Sequence, residues 1–213
     1  MLIGIPVYDD VEMLDVTGPY DMFRWAGLDV ELVARDPGPV RFLNGFNFEV
    51  KTGFDKAGAW DVLWVPGGAP DALAGIMGDP QRVYLDFLIR KSRTAKYVAS
   101  VCEGALLLAA AGLLDGYQAT THWAFIPCLT ERFPKVKVAE GHPRFCLDGN
   151  RLTGGGISSG LDEALRLIEL LLGTKTAQAA QQTTQYYPCP PVASAIPPAG
   201  ACPLPAVTIA PPA

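Results

Sequence analysis

Short, almost wholly apolar runs alternate with segments of helical spacing along the first 185 residues. That alternation restricts the chain to a mostly parallel sheet with helices on both faces. Residues 2–8, 61–66 and 96–101 are mostly apolar runs of strand length, the pattern of strands buried on both faces. Val30, Leu32 and Ala34 alternate with polar neighbours as a further strand would, and residues 117–121 suit a short one. Helices are expected over 18–26, with Thr17 as N-cap and Pro19 at the first position, and over 80–92, with Asp79 as N-cap before Pro80. Others are expected over 103–111, ended by Gly112, and over 123–132, 159–173 and 174–185. In the helix opening at Ser159, Leu161, Ala164, Leu165, Ile168, Leu171 and Leu172 form one apolar stripe. Asn44-Gly45 and Asp148-Gly149-Asn150 predict hairpins over 40–51 and 145–153.

A chain of 213 residues fits one large α/β domain better than two. The domain is expected over residues 1–187. From Pro188 onward Pro, Ala and Gly dominate and periodicity disappears, so 188–213 is expected to be an extended or disordered tail draped on the surface. The net charge of -5 offers nothing to a nucleic acid. The N-terminal apolar run lacks a basic segment and a cleavage site, so it is not a signal peptide. Neither it nor residues 104–114, broken by Gly112, is long enough to span a membrane. A cytoplasmic location is therefore expected. The five cysteines are odd in number, widely spaced and without a C-x-x-C pair, which argues against a disulfide framework and a zinc site. With only two histidines, no metal centre is expected.

Chemistry concentrates at Ala99-Ser100-Val101-Cys102-Glu103-Gly104-Ala105. An apolar strand stops at Cys102 and a helix begins at once, with Gly104 keeping the turn uncrowded, as in a nucleophile elbow. The thiol would sit at the carboxyl end of a central strand, where open α/β sheets bind ligands. It would also sit at a helix N-terminus, which favours thiolate. The alternative is a buried structural cysteine. Cys128 and Cys146 suit that structural role, and Cys189 and Cys202 lie in the tail as exposed thiols. Gly67 and Gly68 end another strand and could supply backbone N–H groups as an oxyanion hole, or simply turn the chain. They match no Rossmann or P-loop fingerprint. Asp15 lies among apolar residues after the first strand, where its local pattern favours a capping carboxylate, with Glu12 more solvated. His122, in Thr120-Thr121-His122-Trp123, could be a base or a hydrogen-bonded core histidine. Gly154-Gly155-Gly156-Ile157 permits close backbone approach to a ligand, or is a tight packing turn.

Taken together, these segments resemble the ThiJ/PfpI superfamily, the cysteine branch of the class I glutamine-amidotransferase-like fold. The resemblance covers residues 1 to about 187 and is carried by Leu-Asp-Val-Thr-Gly-Pro at 14–19, Pro-Gly-Gly at 66–68 and Ser-Val-Cys at 100–102. Ala-Ala-Gly-Leu-Leu at 110–114, Ala-Thr-Thr-His-Trp at 119–123, Asp-Gly-Asn at 148–150 and Thr-Gly-Gly-Gly-Ile at 153–157 complete it. Within the superfamily the chain is most similar to bacterial isonitrile hydratases. The resemblance implies a flavodoxin-like three-layer sandwich, a homodimer, a small-molecule substrate, no cofactor and no metal. It implies Cys102 as nucleophile, Asp15 as the acid contacting the sulfur, and the Gly68 N–H as a binder of developing charge. His122 matches a histidine near the cysteine in several branches. Thr121, Trp123, Gly155, Gly156 and Ile157 would line the substrate site. The implied reaction is hydration of an isonitrile to an N-substituted formamide through a Cys102 thioimidate. The rival readings are a glyoxalase- or deglycase-like enzyme on small aldehydes and a redox-sensing regulator. Glu103 departs from the pattern: the protease-like branch has histidine there and the hydratases threonine. It would either sit beside Asp15 and raise its pKa, or point outward as a solvated first-turn residue.

Overall fold

In the computed structural model, which describes residues 1–210, the apolar runs become the centre of one seven-stranded sheet. From edge to edge its strands are β10 (Phe145–Asp148), β11 (Arg151–Gly154), β7 (Tyr97–Ser100), β6 (Val62–Val65), β1 (Leu2–Pro6), β2 (Asp29–Ala34) and β5 (Thr52–Gly53). All are parallel except β10, which runs antiparallel to β11. Two small sheets stand apart: β3 (Gly38–Arg41) with β4 (Asn47–Val50), and β8 (Gln118–Ala119) with β9 (Lys137–Val138).

Side chains alternate across the pleat, so each central strand feeds two cores. Val62 and Trp64 face one core and Leu63 and Val65 the other. The first core is covered by α1 (Met13–Trp25), α6 (Ser159–Leu172) and α7 (Thr174–Thr184). The second is covered by α2 (Pro70–Gly78), α3 (Val83–Ser92), α4 (Gly104–Ala110) and α5 (Ile126–Arg132), the last preceded by a 3-10 turn at Trp123–Phe125. This is the expected three-layer sandwich. Strand order reverses between β1 and β6, and the carboxyl ends there form the crevice in which such sheets place ligands.

Several boundaries differ from expectation for local reasons. α1 begins at Met13 rather than near residue 18, with Glu12 as N-cap. Pro19 therefore lies inside the helix. Proline has no N–H to give the carbonyl four residues earlier, that of Asp15. Trp64 Nε1 donates to that carbonyl instead, at 3.1 Å. α2 was not foreseen. Asp79 accepts from the Gln81 and Val83 N–H groups at 2.9 and 3.2 Å, so it caps a turn and α3 starts only at Val83. The first hairpin pairs Arg41 with Asn47 across a five-residue connection. The second is tighter, pairing Asp148 with Arg151.

The largest correction concerns two cysteines, one of them in the C-terminal segment. Cys128 and Cys202, expected as a buried structural thiol and an exposed one, form a disulfide across 74 residues. Residues 188–210 have no regular secondary structure, yet they fold back over the second core. Leu204 is 3% exposed, and Val207 and Ile209 pack beside it. The Arg132 guanidinium donates to the Leu204 and Pro205 carbonyls, and Arg82 to that of Ala210. Closing a loop of this length stabilises by roughly 4–5 kcal/mol in the chain-entropy picture. Residues 211–213 of the expected tail lie outside the described residues. Among the described residues, no helix is long and apolar enough to cross a membrane.

Candidate active site

Each of three parallel strands delivers one part of the site at its carboxyl end. After β7 the chain turns sharply at Cys102, whose φ is +56°. A non-glycine residue in this region costs of order 1–3 kcal/mol and persists only when its surroundings fix it. Here the Cys102 N–H donates to the Gly155 carbonyl at 2.8 Å, and Thr121 Oγ1 donates to the Cys102 carbonyl at 2.8 Å. A Cβ at Gly104 would collide with the Val65 carbonyl, so only glycine lets α4 start this close to β6. The elbow expected from the sequence is present.

Asp15 arrives from α1. Val11 is bridged to Gly68 and Phe42, which steers the chain back over the crevice before the helix begins. The Asp15 side chain is fully buried. Its Oδ2 accepts from the Gly67 N–H at 2.9 Å, while Oδ1 has no hydrogen-bond partner. Glu103 is 7% exposed and faces inward. A Cβ at Gly67 would strike the Glu103 carboxyl and the Cys102 Cβ. The strand-end glycine thus makes room for the acid that follows the thiol. The thiol and one oxygen from each carboxyl all lie within 4.8 Å of one another.

Burial disfavours every charged form in this cluster. It holds the Asp15 carboxyl well above the ordinary range, Glu103 adding to the rise and the Gly67 N–H opposing it. Glu103 is also raised by burial, but it is held down by hydrogen bonds from the thiol and from its own and the Gly68 N–H groups. The two carboxyls therefore split: Asp15 keeps its proton more readily, and Glu103 ionises first. Burial, then Asp15 and Glu103, push the Cys102 thiol well above its ordinary value, and the Ile157 N–H opposes them. Burial of the sulfur, with two acids beside it, thus works against the thiolate that the helix N-terminus was expected to favour. The geometry also narrows the oxyanion-hole reading of Gly67 and Gly68 to the second of them. The Gly67 N–H is committed to Asp15 and the Gly68 N–H faces Glu103.

The remaining expected residues form the wall beside the elbow. Thr121, His122, Trp123, Gly155, Gly156 and Ile157 all line a cavity of about 300 Å³. Thr121 and Gly155 join it to Cys102 through the two hydrogen bonds above. His122 Nδ1 accepts from the Ala124 N–H at 3.2 Å, capping the 3-10 turn. Burial lowers its pKa. The neutral ring then carries its proton on Nε2, a donor rather than a base. A larger hollow of about 770 Å³ opens near Tyr8 and Tyr84; none of Asp15, Cys102 and Glu103 lines either space, and only the smaller one has walls bonded to the Cys102 backbone. Tyr8 reaches the site from that side, its hydroxyl donating to the Pro66 carbonyl at 3.1 Å.

Sequence reasoning missed His142, Arg144 and Ser158 on the cavity wall, and it missed Glu163. Glu163 is fully buried and both its oxygens lack partners. The expected α6 stripe is rotated: the buried face runs through Gly160, Glu163, Ala164, Leu167 and Ile168. Spacing of three and four from Leu167 placed Glu163 on that face, and its charge concealed it. Burial first, then Asp15, hold its carboxyl well above the ordinary range. The native state therefore binds a proton that the unfolded chain releases above the ordinary glutamate pKa of about 4.3. That contribution to stability is fully present at lower pH. It is lost with a slope approaching about 1.4 kcal/mol per pH unit as pH climbs toward the folded value. Glu163→Gln removes this linkage. Urea unfolding should show little difference from wild type near pH 4 and a growing stabilisation of the variant toward pH 7. A difference independent of pH would contradict a neutral Glu163.

Comparison with known proteins places these features. The DJ-1/PfpI family model matches residues 1–170. The isonitrile hydratase of Pseudomonas putida is 41% identical over 196 residues, covering 92% of this chain and 82% of that protein. A ThiJ/PfpI family protein from Pseudomonas syringae superposes with a TM-score of 0.81 at 34% identity, over 90% of this chain and 77% of that one. The transcriptional regulator GbdR of Pseudomonas aeruginosa is 31% identical over 166 residues, 78% of this chain but only 42% of the regulator.

Proposed function

The chain belongs to the DJ-1/PfpI family, and from that premise we propose that it is an isonitrile hydratase of the lyase type, converting an isocyanide and water to an N-substituted formamide. The observation that carries the mechanism is the buried cluster of Asp15, Cys102 and Glu103, in which both carboxyls are pushed toward the acid form but Asp15 further than Glu103, so that Glu103 is the one that ionises first. An isonitrile needs both an acid and a base. Its terminal carbon must gain a proton and a nucleophile.

In the first step Asp15 gives its proton to the isonitrile carbon while the Cys102 sulfur bonds to it. Glu103 takes the thiol proton. The product is the thioimidate R–N=CH–S–Cys102, with Asp15 ionised and Glu103 protonated. Water then adds across the C=N bond. Its proton goes to Asp15, its oxygen to carbon, and the Glu103 proton to nitrogen. The C–S bond breaks as the carbinol proton passes to sulfur, releasing the formamide and restoring all three groups. A thiol with a raised pKa is usable here because Glu103 lies within reach of its proton. No cofactor enters the scheme.

In this reading Thr121 fixes the elbow, while His122, Trp123, Gly155, Gly156 and Ile157 form the substrate wall. A cavity of about 300 Å³ suits a small molecule. The reading further holds that the protein is a homodimer, as the resemblance implies, and that it is cytoplasmic, with residues 1–187 as the catalytic domain. The test is turnover of cyclohexyl isocyanide in H2(18)O, with mass analysis of the formamide and of acid-quenched protein. Labelled oxygen in the product and a Cys102-linked adduct are expected. No formamide from intact, alkylatable protein would reject the substrate assignment.

A further inference from the structure

The substrate wall has one member that no part of the α/β domain supplies. Ile196 belongs to the C-terminal segment, yet it lines the cavity together with His122, Trp123, Arg144 and Ile157; buried Cys102 lies behind that cavity's Thr121 and Gly155 walls, which bond its backbone. Ile196 is still 53% exposed, as a residue at a cavity mouth is. We propose that Ile196, carried on a disulfide-pinned strap, is the movable outer wall of this cavity and sets the size of the group that can reach Cys102.

The strap is held at both ends and free between them. Upstream, Gln181 Nε2 donates to the Tyr186 carbonyl at 3.2 Å, and the Tyr186 hydroxyl bonds Asp162 Oδ2 at 3.1 Å. Asp162 is itself paired with Arg144, a residue of the cavity wall. Downstream, the Cys128–Cys202 bond, the Arg132 contacts and buried Leu204 fasten the chain to α5. Among the described residues, none from 188 to 201 makes a hydrogen bond to the rest of the protein. Val192, earlier in the span, is 78% exposed. Ile196 is therefore an apolar contact in the middle of a tether whose position depends on its two anchors. A tether with few buried contacts and no hydrogen bonds lies at the low end of local stability.

The downstream anchor can be opened chemically. A dithiol reductant supplies two electrons and two protons, converting the Cys128–Cys202 bond to two thiols while the reductant closes to its own disulfide. Arg132 and Leu204 remain, so reduction loosens the strap without detaching it. The inference deepens the hydratase reading, since the group being sized would be the N-substituent of an isonitrile. Its geometric core, access to Cys102, does not depend on that substrate.

The experiment uses the full chain and two readouts. Peptide-resolved mass spectrometry follows alkylation of Cys102 by iodoacetamide and by the bulkier N-phenylmaleimide. Steady-state kcat/KM is measured for methyl and cyclohexyl isocyanide. Ile196→Ala and Cys202→Ser should both raise the bulky-to-small ratio, Ile196→Ala by about tenfold, as expected for removing part of an apolar wall. Ile196→Trp should lower it. Dithiothreitol should change wild type in the direction of Cys202→Ser and leave Cys202→Ser unaffected. If Cys202→Ser fails to fold, the two Ile196 variants decide alone. An unchanged ratio in the Ile196 variants overturns the proposal. A shifted alkylation ratio without isonitrile turnover would leave the strap standing and reject the substrate assignment.

Discussion

Cys102→Ala is expected to remove isonitrile hydration to the background rate, a loss of at least about 10⁴-fold in kcat given how completely single nucleophile deletions disable other covalent enzymes. The fold should survive. The strained turn is fixed by backbone groups: the Cys102 N–H on the Gly155 carbonyl, and the Cys102 carbonyl on Thr121 Oγ1. Alanine keeps both. Cys102 is a buried member of the first core, but alanine keeps its Cβ and removes only the sulfur, while Gly104 and Val65 set the approach of α4 to β6. Loss of activity with an unchanged thermal midpoint and circular dichroism spectrum would therefore place the chemistry on sulfur. Residual turnover within about tenfold of wild type would mean that the two carboxyls alone hydrate the substrate. The thioimidate would then have to be abandoned.

The parts of this site that were legible in the sequence are those fixed by short stretches of chain. The Cys102 elbow is written in seven consecutive residues: an apolar strand, a stop, and a helix opened by Gly104. The same holds for the central strands and for the Asp148-Gly149-Asn150 turn. Asp15 was different. Its local pattern favoured a capping carboxylate, and only the family resemblance made it an acid at the sulfur. The deciding contacts are long-range: the Val11 bridge to Gly68, the Gly67 N–H on Oδ2, and the Trp64 indole on the carbonyl that Pro19 leaves free. Glu103 could not be oriented from sequence, because its inward position depends on the missing side chain at Gly67.

The C-terminal segment was the least legible. Its apolar anchors, Leu204, Val207 and Ile209, have no helical or strand period, so pattern reasoning dissolves them into Pro/Ala-rich sequence. The Cys128–Cys202 bond exists only because that segment docks on α5. Cysteine spacing cannot foretell a pairing made by tertiary docking. The Pro/Ala composition correctly denied the segment secondary structure, but it did not deny it a place on the surface of the core.

Asp15→Asn should separate proton donation from everything else Asp15 does. The side chain keeps its shape. The amide oxygen can take the Gly67 N–H that Oδ2 accepts at 2.9 Å, and the amide nitrogen occupies the place of Oδ1, which has no partner. The backbone carbonyl still receives the Trp64 indole. Only the transferable proton is lost, so kcat should fall by about 10²–10⁴, the range for removing a general acid. Cys102 should remain alkylatable. Above the elevated Asp15 pKa it should react faster than wild type, because the ionised Asp15 is one of the groups that push the thiol up. Wild-type activity should also decline on the alkaline side as pH rises through the elevated Asp15 pKa, since the acid form is the active one. The residual activity of Asp15→Asn should lack that limb. Turnover within a few-fold of wild type would remove Asp15 from the donor role and leave Glu103 as the proton source. Lost alkylation would mean instead that the substitution had collapsed the crevice. The thermal midpoint would report that directly, and Asp15→Glu, which keeps a carboxyl at greater length, would then show whether any acid at this position restores the rate.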